Sequence, residues 1–314
     1  MPRLVARTHD GDKVFQTYAE AAKALADAGV KAADPLALDI AQAREQQDRY
    51  FAHFNRELPP IAETHDLRIH GPAGEIALRL YRPSQDAELP LIVFVRGAGW
   101  WAGALDSHAR TMIQLAQFSG CAVCGVDFHR TPEYRFPVQR DEVLAALDWL
   151  CAHGAEHRLR AAAPVLFGES AGATLCLSVA LALRDRGASL PAGLVLFYTN
   201  AGGPKASARA YSQWVWHQYL GHEGVSTDAS AVPLQADMRG LPPMWLVTGE
   251  DDPLMSDTLA LADKLLAAQV PYELVRYPGL PHGFAMWSGS LMPAQKALNS
   301  AANAAAAFLS TKDD

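Results

Sequence analysis

The sequence predicts an α/β fold with one main domain, a mostly parallel central sheet covered on both faces by helices. Three observations predict it. Strand-length runs alternate with helical stretches from about residue 91 onward, as successive strand–crossover–strand units require. Leu91-Ile92-Val93-Phe94-Val95 is continuously apolar, as a strand buried on both faces should be. Hydrophobic residues make up 50% of the 314, which supports a large core. Length alone would allow two domains, but large α/β folds often run this long as one.

Up to about Pro60 the chain is helical in character. Tyr18 to Ala28 is rich in strong helix formers and stops at Gly29. A second helical stretch, Leu36 to Phe54, follows Asp34-Pro35 and ends before Pro59-Pro60. His65 to His70 and Glu75 to Tyr81 flank Gly71-Pro72-Ala73-Gly74 and read as a hairpin. Helices are then expected over Ser107 to Ser119, Val138 to Ala152, Ala171 to Arg186 and Ser256 to Ala268, with an Ala-rich helix at the end. Strands are expected at Ala122 to Asp127, Pro164 to Phe167, Gly193 to Tyr198, Met244 to Thr248 and Tyr272 to Tyr277.

Two segments break the alternation, the helical residues 1–60 and an irregular, Trp-rich insertion at about 200–239. They are expected to pack together as a helical cap on a catalytic domain of residues 61–314. The cap would cover the carboxyl ends of the strands, where open α/β sheets bind ligands.

Composition excludes several classes. The net charge is −7 and no Lys/Arg run is present, which argues against a nucleic-acid partner. Residues 1–14 lack the apolar region of a secretory signal. No apolar run reaches the roughly 18 residues of a membrane span. A soluble, cytoplasmic protein is therefore expected. Four cysteines make no disulfide scaffold, and Cys121 and Cys124 fall in a buried strand. His153 and His157 stand at i, i+4 with no third ligand apparent.

Gly168-Glu169-Ser170-Ala171-Gly172 matches G-x-S-x-G, a pattern short enough to arise by chance. Its context strengthens it, because a strand precedes it and a helix follows. A nucleophile elbow, a strained turn that lifts the hydroxyl above a sheet, needs this arrangement, whereas an ordinary Gly-Ser turn does not. A serine needs a general base and a group to orient that base. Acid and then histidine should follow, each after a strand. Gly249-Glu250-Asp251-Asp252-Pro253 follows the Met244 strand, and spacing alone does not separate the three acids. His282, in Leu280-Pro281-His282-Gly283-Phe284, is the histidine that follows the last strand.

Oxyanion donors are expected in the loop Arg96-Gly97-Ala98-Gly99-Trp100, after the first long parallel strand. The loop does not fit a dinucleotide. Its glycines have the wrong spacing, and Trp100-Trp101 would crowd a pyrophosphate. Gly202-Gly203-Pro204-Lys205 likewise lacks the spacing of a phosphate loop.

Together these motifs resemble the bacterial hormone-sensitive-lipase-like esterases of the α/β-hydrolase superfamily, from about Pro35 to the C-terminus. Leu80-Tyr81-Arg82-Pro83 resembles an early strand of that family. Asp127-Phe128-His129-Arg130-Thr131-Pro132-Glu133, with Phe136-Pro137 beyond it, resembles a second motif. Asp252-Pro253-Leu254 with Asp257 resembles the acid motif and favours Asp252, and His282-Gly283-Phe284 resembles the histidine motif. The resemblance implies an esterase in which Ser170 attacks, His282 shuttles the proton and Asp252 orients it. It also implies that the N–H groups of Ala98, Gly99 and Ala171 hold the oxyanion. It implies no metal and no organic cofactor, and suggests homodimers through the sheet edge.

The chain departs from that family where His-Gly-Gly-Gly is replaced by Arg96-Gly97-Ala98-Gly99. Arg96 either braces the loop through backbone carbonyls or reaches the pocket to bind a substrate carboxylate. Ala98 carries about 1 kcal/mol of strain if its φ is positive. Trp149 and Trp245 are expected in the core. Trp100, Trp101, Trp214, Trp216 and Trp287 surround the expected mouth, either as an aromatic pocket wall for small to medium acyl or aryl groups or as cap packing. The readings are an esterase on small-molecule esters, an amidase or lactonase with the same residues, and a non-catalytic binding protein. His282 in its full motif disfavours the last.

Overall fold

The computed structural model describes residues 14–310 apart from 86–87, 206–208 and 222–224. The expectation of no secretory leader rests almost wholly on residues outside that range. So do parts of both expected cap segments.

Among the described residues, eight strands form one sheet in the order β1-β2-β4-β3-β5-β6-β7-β8. β1 (Glu63–Gly71) and β2 (Gly74–Arg82) make the expected hairpin, and β2 pairs antiparallel with β4 (Ala122–Asp127). All other neighbours are parallel: β3 (Leu89–Val95), β5 (Leu159–Glu169), β6 (Gly193–Phe197), β7 (Met244–Gly249) and β8 (Tyr272–Tyr277). Every residue of β6 and β7 is buried, as interior strands between two helical layers must be. The edge strand β1 carries His65, Asp66 and Arg68 on exposed positions, and such charges discourage strand pairing with another chain.

The helices are α1 (Tyr18–Asp27), α2 (Ile40–Phe54), α3 (Ala109–Ser119), α4 (Val138–His153), α5 (Ala171–Asp185), α6 (Ala210–Leu220), α7 (Met255–Ala267) and α8 (Met292–Ser310). Thr17 and Glu20 form a capping box at the start of α1. α2 starts four residues later than expected, because Asp39 accepts from the Gln42 N–H at 2.9 Å and caps it there. The stretch expected to be irregular contains α6, whose Trp and Tyr side chains pack on the body of the fold. α8 presents Ala294, Ala297, Ala301, Ala302 and Ala305 to the core, and these small residues let it lie close to the sheet. Cys121 and Cys124 are buried free thiols at and within β4. Trp245 is buried, and Trp149 is partly buried against the core. No helix among the described residues is long and apolar enough to cross a membrane.

The N-terminal segment is tied to the loops that follow the parallel strands. Arg44 of α2 donates to the Trp101 carbonyl at 2.9 Å and the Thr131 carbonyl at 2.7 Å, and pairs with Glu133 at 2.6 Å. Phe15 makes a short parallel bridge with Leu291, and its N–H donates to the Ser290 carbonyl at 2.7 Å. Gln47, Tyr50 and Phe51 of α2 thereby come to line the same cavity as the residue that ends β5.

Candidate active site

β5 ends at Glu169 and α5 begins at Ala171, so the chain reverses within Ser170. The cost is local strain, since Ser170 adopts φ 51° and ψ −115°, outside the regions an L-residue favours. The N–H of Ser170 donates to the Phe197 carbonyl at 2.9 Å and fixes the turn. The flanking glycines are required by contact. A Cβ on Gly172 would lie 2.0 Å from the Val95 carbonyl oxygen, and one on Gly168 would lie 2.6 Å from the Gly172 carbonyl oxygen.

His282 and Asp252 reach Ser170 from two loops, after β8 and β7. His282 Nε2 stands 2.8 Å from Ser170 Oγ, and its Nδ1 lies 3.0 and 3.1 Å from the Asp252 carboxylate oxygens. The Leu254 N–H donates to Asp252 Oδ1 at 2.7 Å and orients the carboxylate. Of the three sequence candidates, Glu250 and Asp251 are exposed whereas Asp252 is buried against the imidazole. Such a chain can take the proton of the hydroxyl at Nε2 and stabilise the imidazolium at Nδ1.

Gly97, Ala98 and Gly99 line the cavity that holds Ser170. Ala98 has φ 73° and Gly99 φ 59°, so Ala98 adopts the strained conformation that its Cβ disfavours. Ala171 is the first residue of α5, where a backbone N–H has no intrahelical acceptor. Helix α6 closes on this loop from outside, since a Cβ on Gly99 would meet Val215 Cγ1 at 2.9 Å and the Tyr211 hydroxyl at 3.1 Å.

The pocket reading of Arg96 is corrected. Its guanidinium is buried and does not line the cavity. It donates to the Ala102 carbonyl at 2.8 Å and the Phe128 carbonyl at 2.9 Å, and lies 4.0 Å from the centre of the Phe128 ring. Asp127 Oδ1 sits 3.2 Å from Nη2. Burial lowers its pKa to about 10, partly opposed by Asp127, so it stays a cation at neutral pH. A planar group with five donors suits this bracing of loop carbonyls.

The tryptophan pocket is also corrected, because Trp100, Trp101, Trp214, Trp216 and Trp287 are all absent from the cavity lining. Trp100 stacks on Tyr219 at 4.0 Å and meets Trp216 edge-on at 4.9 Å, which joins the loop after β3 to α6. Trp101 packs edge-on against Trp214 and donates its Nε1–H to the Tyr211 hydroxyl at 3.1 Å. Trp287 lies beneath Phe54 and Tyr18, at 4.7 and 5.4 Å. These large apolar rings bury most when they fill the seams between segments.

The cavity of about 600 Å³ is walled by Tyr50, Phe51, Tyr198, Tyr211, Val215, Leu254 and Met286. Sequence reasoning missed these residues, which come from α2, α6 and separate loops. It also missed Glu169 and His108, two buried titratable groups of the cavity. Glu169 accepts from the Tyr198 hydroxyl at 2.9 Å, and the edge of the Tyr198 ring meets His282 at 4.9 Å. Burial pushes Glu169 up to about 7, against the pull of Tyr198 and His282. Burial, with Arg96 nearby, pushes His108 down to about 3. The one signal in sequence was the position of Glu169 inside the G-x-S-x-G pattern.

The alpha/beta hydrolase fold family matches residues 92–286. An acetyl esterase of Salmonella schwarzengrund (strain CVM19633) is 29% identical over 279 residues, 82% of this chain and 85% of that protein. The crystal structure of a thermophilic, thermostable carboxylesterase cloned from a metagenomic library superposes with TM-score 0.83. It is 30% identical over 87% of this chain and 99% of that one. An ester-hydrolase from the metagenome of Lake Arreo, solved with a derivative of bipyridine phosphonate, superposes with TM-score 0.84. It is 30% identical, with coverage of 93% and 96%.

Proposed function

The chain belongs to the alpha/beta hydrolase fold family, among the hormone-sensitive-lipase-like esterases, and is a serine carboxylesterase; from that premise we propose that Ser170, His282 and Asp252 are its catalytic residues and that small to medium esters are its substrates. The observation that carries the assignment is the 2.8 Å contact of His282 Nε2 with Ser170 Oγ, backed by Asp252 at 3.0 Å.

The Ser170 hydroxyl attacks the ester carbonyl carbon while His282 Nε2 accepts its proton. Asp252 holds the Nδ1–H tautomer and stabilises the imidazolium. The carbonyl oxygen becomes an oxyanion facing the N–H groups of Ala98, Gly99 and Ala171, and each such donor lowers the barrier by about 3 kcal/mol. Collapse of the tetrahedral intermediate expels the alcohol, which takes the proton from His282. Water then repeats the sequence on the acyl-enzyme, releasing the acid and restoring Ser170. The strained elbow and the positive φ of Ala98 support this reading, because strain concentrates where backbone groups are aimed at a reacting atom.

A cavity of about 600 Å³ fits an ester of modest size. In this reading α1 and α2, with the insertion that carries α6, act as the cap of the catalytic domain. The Trp100–Tyr219 stack and the Arg44 contacts support a cap held in place on the body.

The test is a series of p-nitrophenyl esters of graded acyl length, with matching anilides, on wild type and Ser170→Ala. Hydrolysis of the short and medium esters, lowered at least about 10⁴-fold in Ser170→Ala, is expected. Undiminished hydrolysis in Ser170→Ala would overturn the nucleophile, and cleavage of anilides alone would overturn the ester preference.

A further inference from the structure

The cavity wall is mostly apolar, yet Glu169 and His108 stand in it with hydrogen-bonding capacity that the protein does not use. Both are only 2% exposed. Glu169 Oε2 accepts from Tyr198, but Oε1 has no partner among the described residues. Buried polar groups are normally paired, and each exception calls for a physical account.

His108 has a definable tautomer. The Ser107 hydroxyl donates to the Ala104 carbonyl at 2.6 Å and accepts from the Ala104 N–H at 3.0 Å. Its single proton is thus committed, so at 2.7 Å from His108 Nδ1 it accepts from an Nδ1–H. Nε2 is then the bare nitrogen, and it lies 3.9 Å from Glu169 Oε2. That gap is too wide for a direct hydrogen bond. A single oxygen placed about 2.8 Å from each atom bridges it, with an angle of about 90° at the oxygen.

We infer that Glu169 and His108 form a subsite for a hydroxyl group on the ester substrate, a few bonds from the scissile carbonyl. The inference rests on the esterase reading of the same cavity. The hydroxyl donates to His108 Nε2 and accepts from the protonated Oε2 of Glu169, which also accepts from Tyr198, so one group bridges both walls. Placement near the reacting bond is supported by Ser170 lining the same cavity and by Tyr198, which donates to Glu169 and whose ring meets His282 at 4.9 Å. Phe51, whose ring centre is 5.7 Å from that of His108, and Met286 supply the apolar surround that makes an unmet hydrogen bond costly. Burial raises Glu169 to about 7 and lowers His108 to about 3, so that below about pH 7 a neutral acid faces a neutral imidazole.

The experiment compares kcat/KM for two matched pairs, p-nitrophenyl 3-hydroxybutyrate against butyrate, and 3-hydroxypropyl acetate against butyl acetate. The first pair places the hydroxyl on the acyl side and the second on the alcohol side. The wild-type enzyme is expected to favour the hydroxylated member of at least one pair by about tenfold or more, as sites built to bond a hydroxyl do. In His108→Phe, which keeps the ring volume, that ratio is expected to fall to about one. Parity or disfavour in both pairs, as a permanently bound water would produce, overturns the subsite and needs no variant to show it. A ratio unchanged in His108→Phe overturns it as well. Hydrolysis of the unhydroxylated esters separates these results from failure of the esterase reading, which would abolish turnover of all four compounds.

Discussion

Replacing Arg96 by alanine tests the loop brace directly. The guanidinium makes two hydrogen bonds to carbonyls, at 2.8 and 2.9 Å, and covers the Phe128 ring at 4.0 Å. Bonds from a charged donor contribute about 1.5–3 kcal/mol each, and a desolvated cation–π contact about 2 kcal/mol. The gross loss is therefore about 5–8 kcal/mol. Part is recovered, because the mutant no longer buries a cation, which costs several kcal/mol in a folded interior. The net destabilisation expected is about 4 kcal/mol. Urea unfolding of wild type, Arg96→Lys and Arg96→Ala measures it, with lysine between the other two because its single head cannot serve both carbonyls. In parallel, kcat/KM on a neutral ester and on an acidic ester should fall by the same factor, since the defect is in the loop and not in a substrate contact. A loss of stability under about 1 kcal/mol would refute the bracing argument. A loss confined to the acidic ester would restore the pocket role.

Gly172→Ala is expected to abolish soluble, active protein. Its Cβ would sit 2.0 Å from the Val95 oxygen and 2.5 Å from the Arg96 oxygen, and both of these are backbone atoms. Thermal unfolding and ester turnover report on it, and a variant with near-wild-type values would contradict the close approach of α5 to β3. The buried Glu169 carboxyl predicts a pH effect of definite sign. Its pKa is raised from 4.5 to about 7 in the fold, so the unfolded chain releases the proton first. Stability therefore falls as pH rises from about 4.5 to about 7 and the loss is complete above that range, by about 3 kcal/mol. Glu169→Gln removes the ionisation, so relative to wild type its unfolding free energy should gain about that amount between pH 5 and pH 8. A difference that stays constant with pH would contradict it.

The motif residues were legible because their placement is local. A nucleophile elbow needs a strand, one reversed residue and a helix, and all three are adjacent in Phe167 to Gly172. Asp252 and His282 likewise occupy the first turns beyond β7 and β8, so the order of elements placed them at one end of the sheet. Spacing failed among Glu250, Asp251 and Asp252, because the three differ only in the direction their side chains take from the turn. α2 starts at Ile40 and not at Leu36, because Leu36 to Leu38 have helical propensity but only Asp39 supplies the cap that a first turn needs.

The five tryptophans show what a sequence leaves open. Their loops surround the mouth, but an indole fills whatever seam buries it, and here the seams lie between α2, α6 and the loop after β3. The wall they were expected to form is made by Tyr50, Phe51, Tyr211 and Val215, whose helical segments carry no signal of what they face.

By itself, the sequence determined the α/β class, the strand ends from which Ser170, Asp252 and His282 project, and the Arg96-Gly97-Ala98-Gly99 loop facing them. Those features depend on residues a few positions apart. Only the tertiary structure decided that Arg96 turns away from the cavity, that α2 closes one side of it, and that Glu169 and His108 stand 3.9 Å apart. Each depends on contacts between residues far apart in the chain, such as Arg96 with Phe128 or Arg44 with Trp101, and packing alone fixes which groups meet.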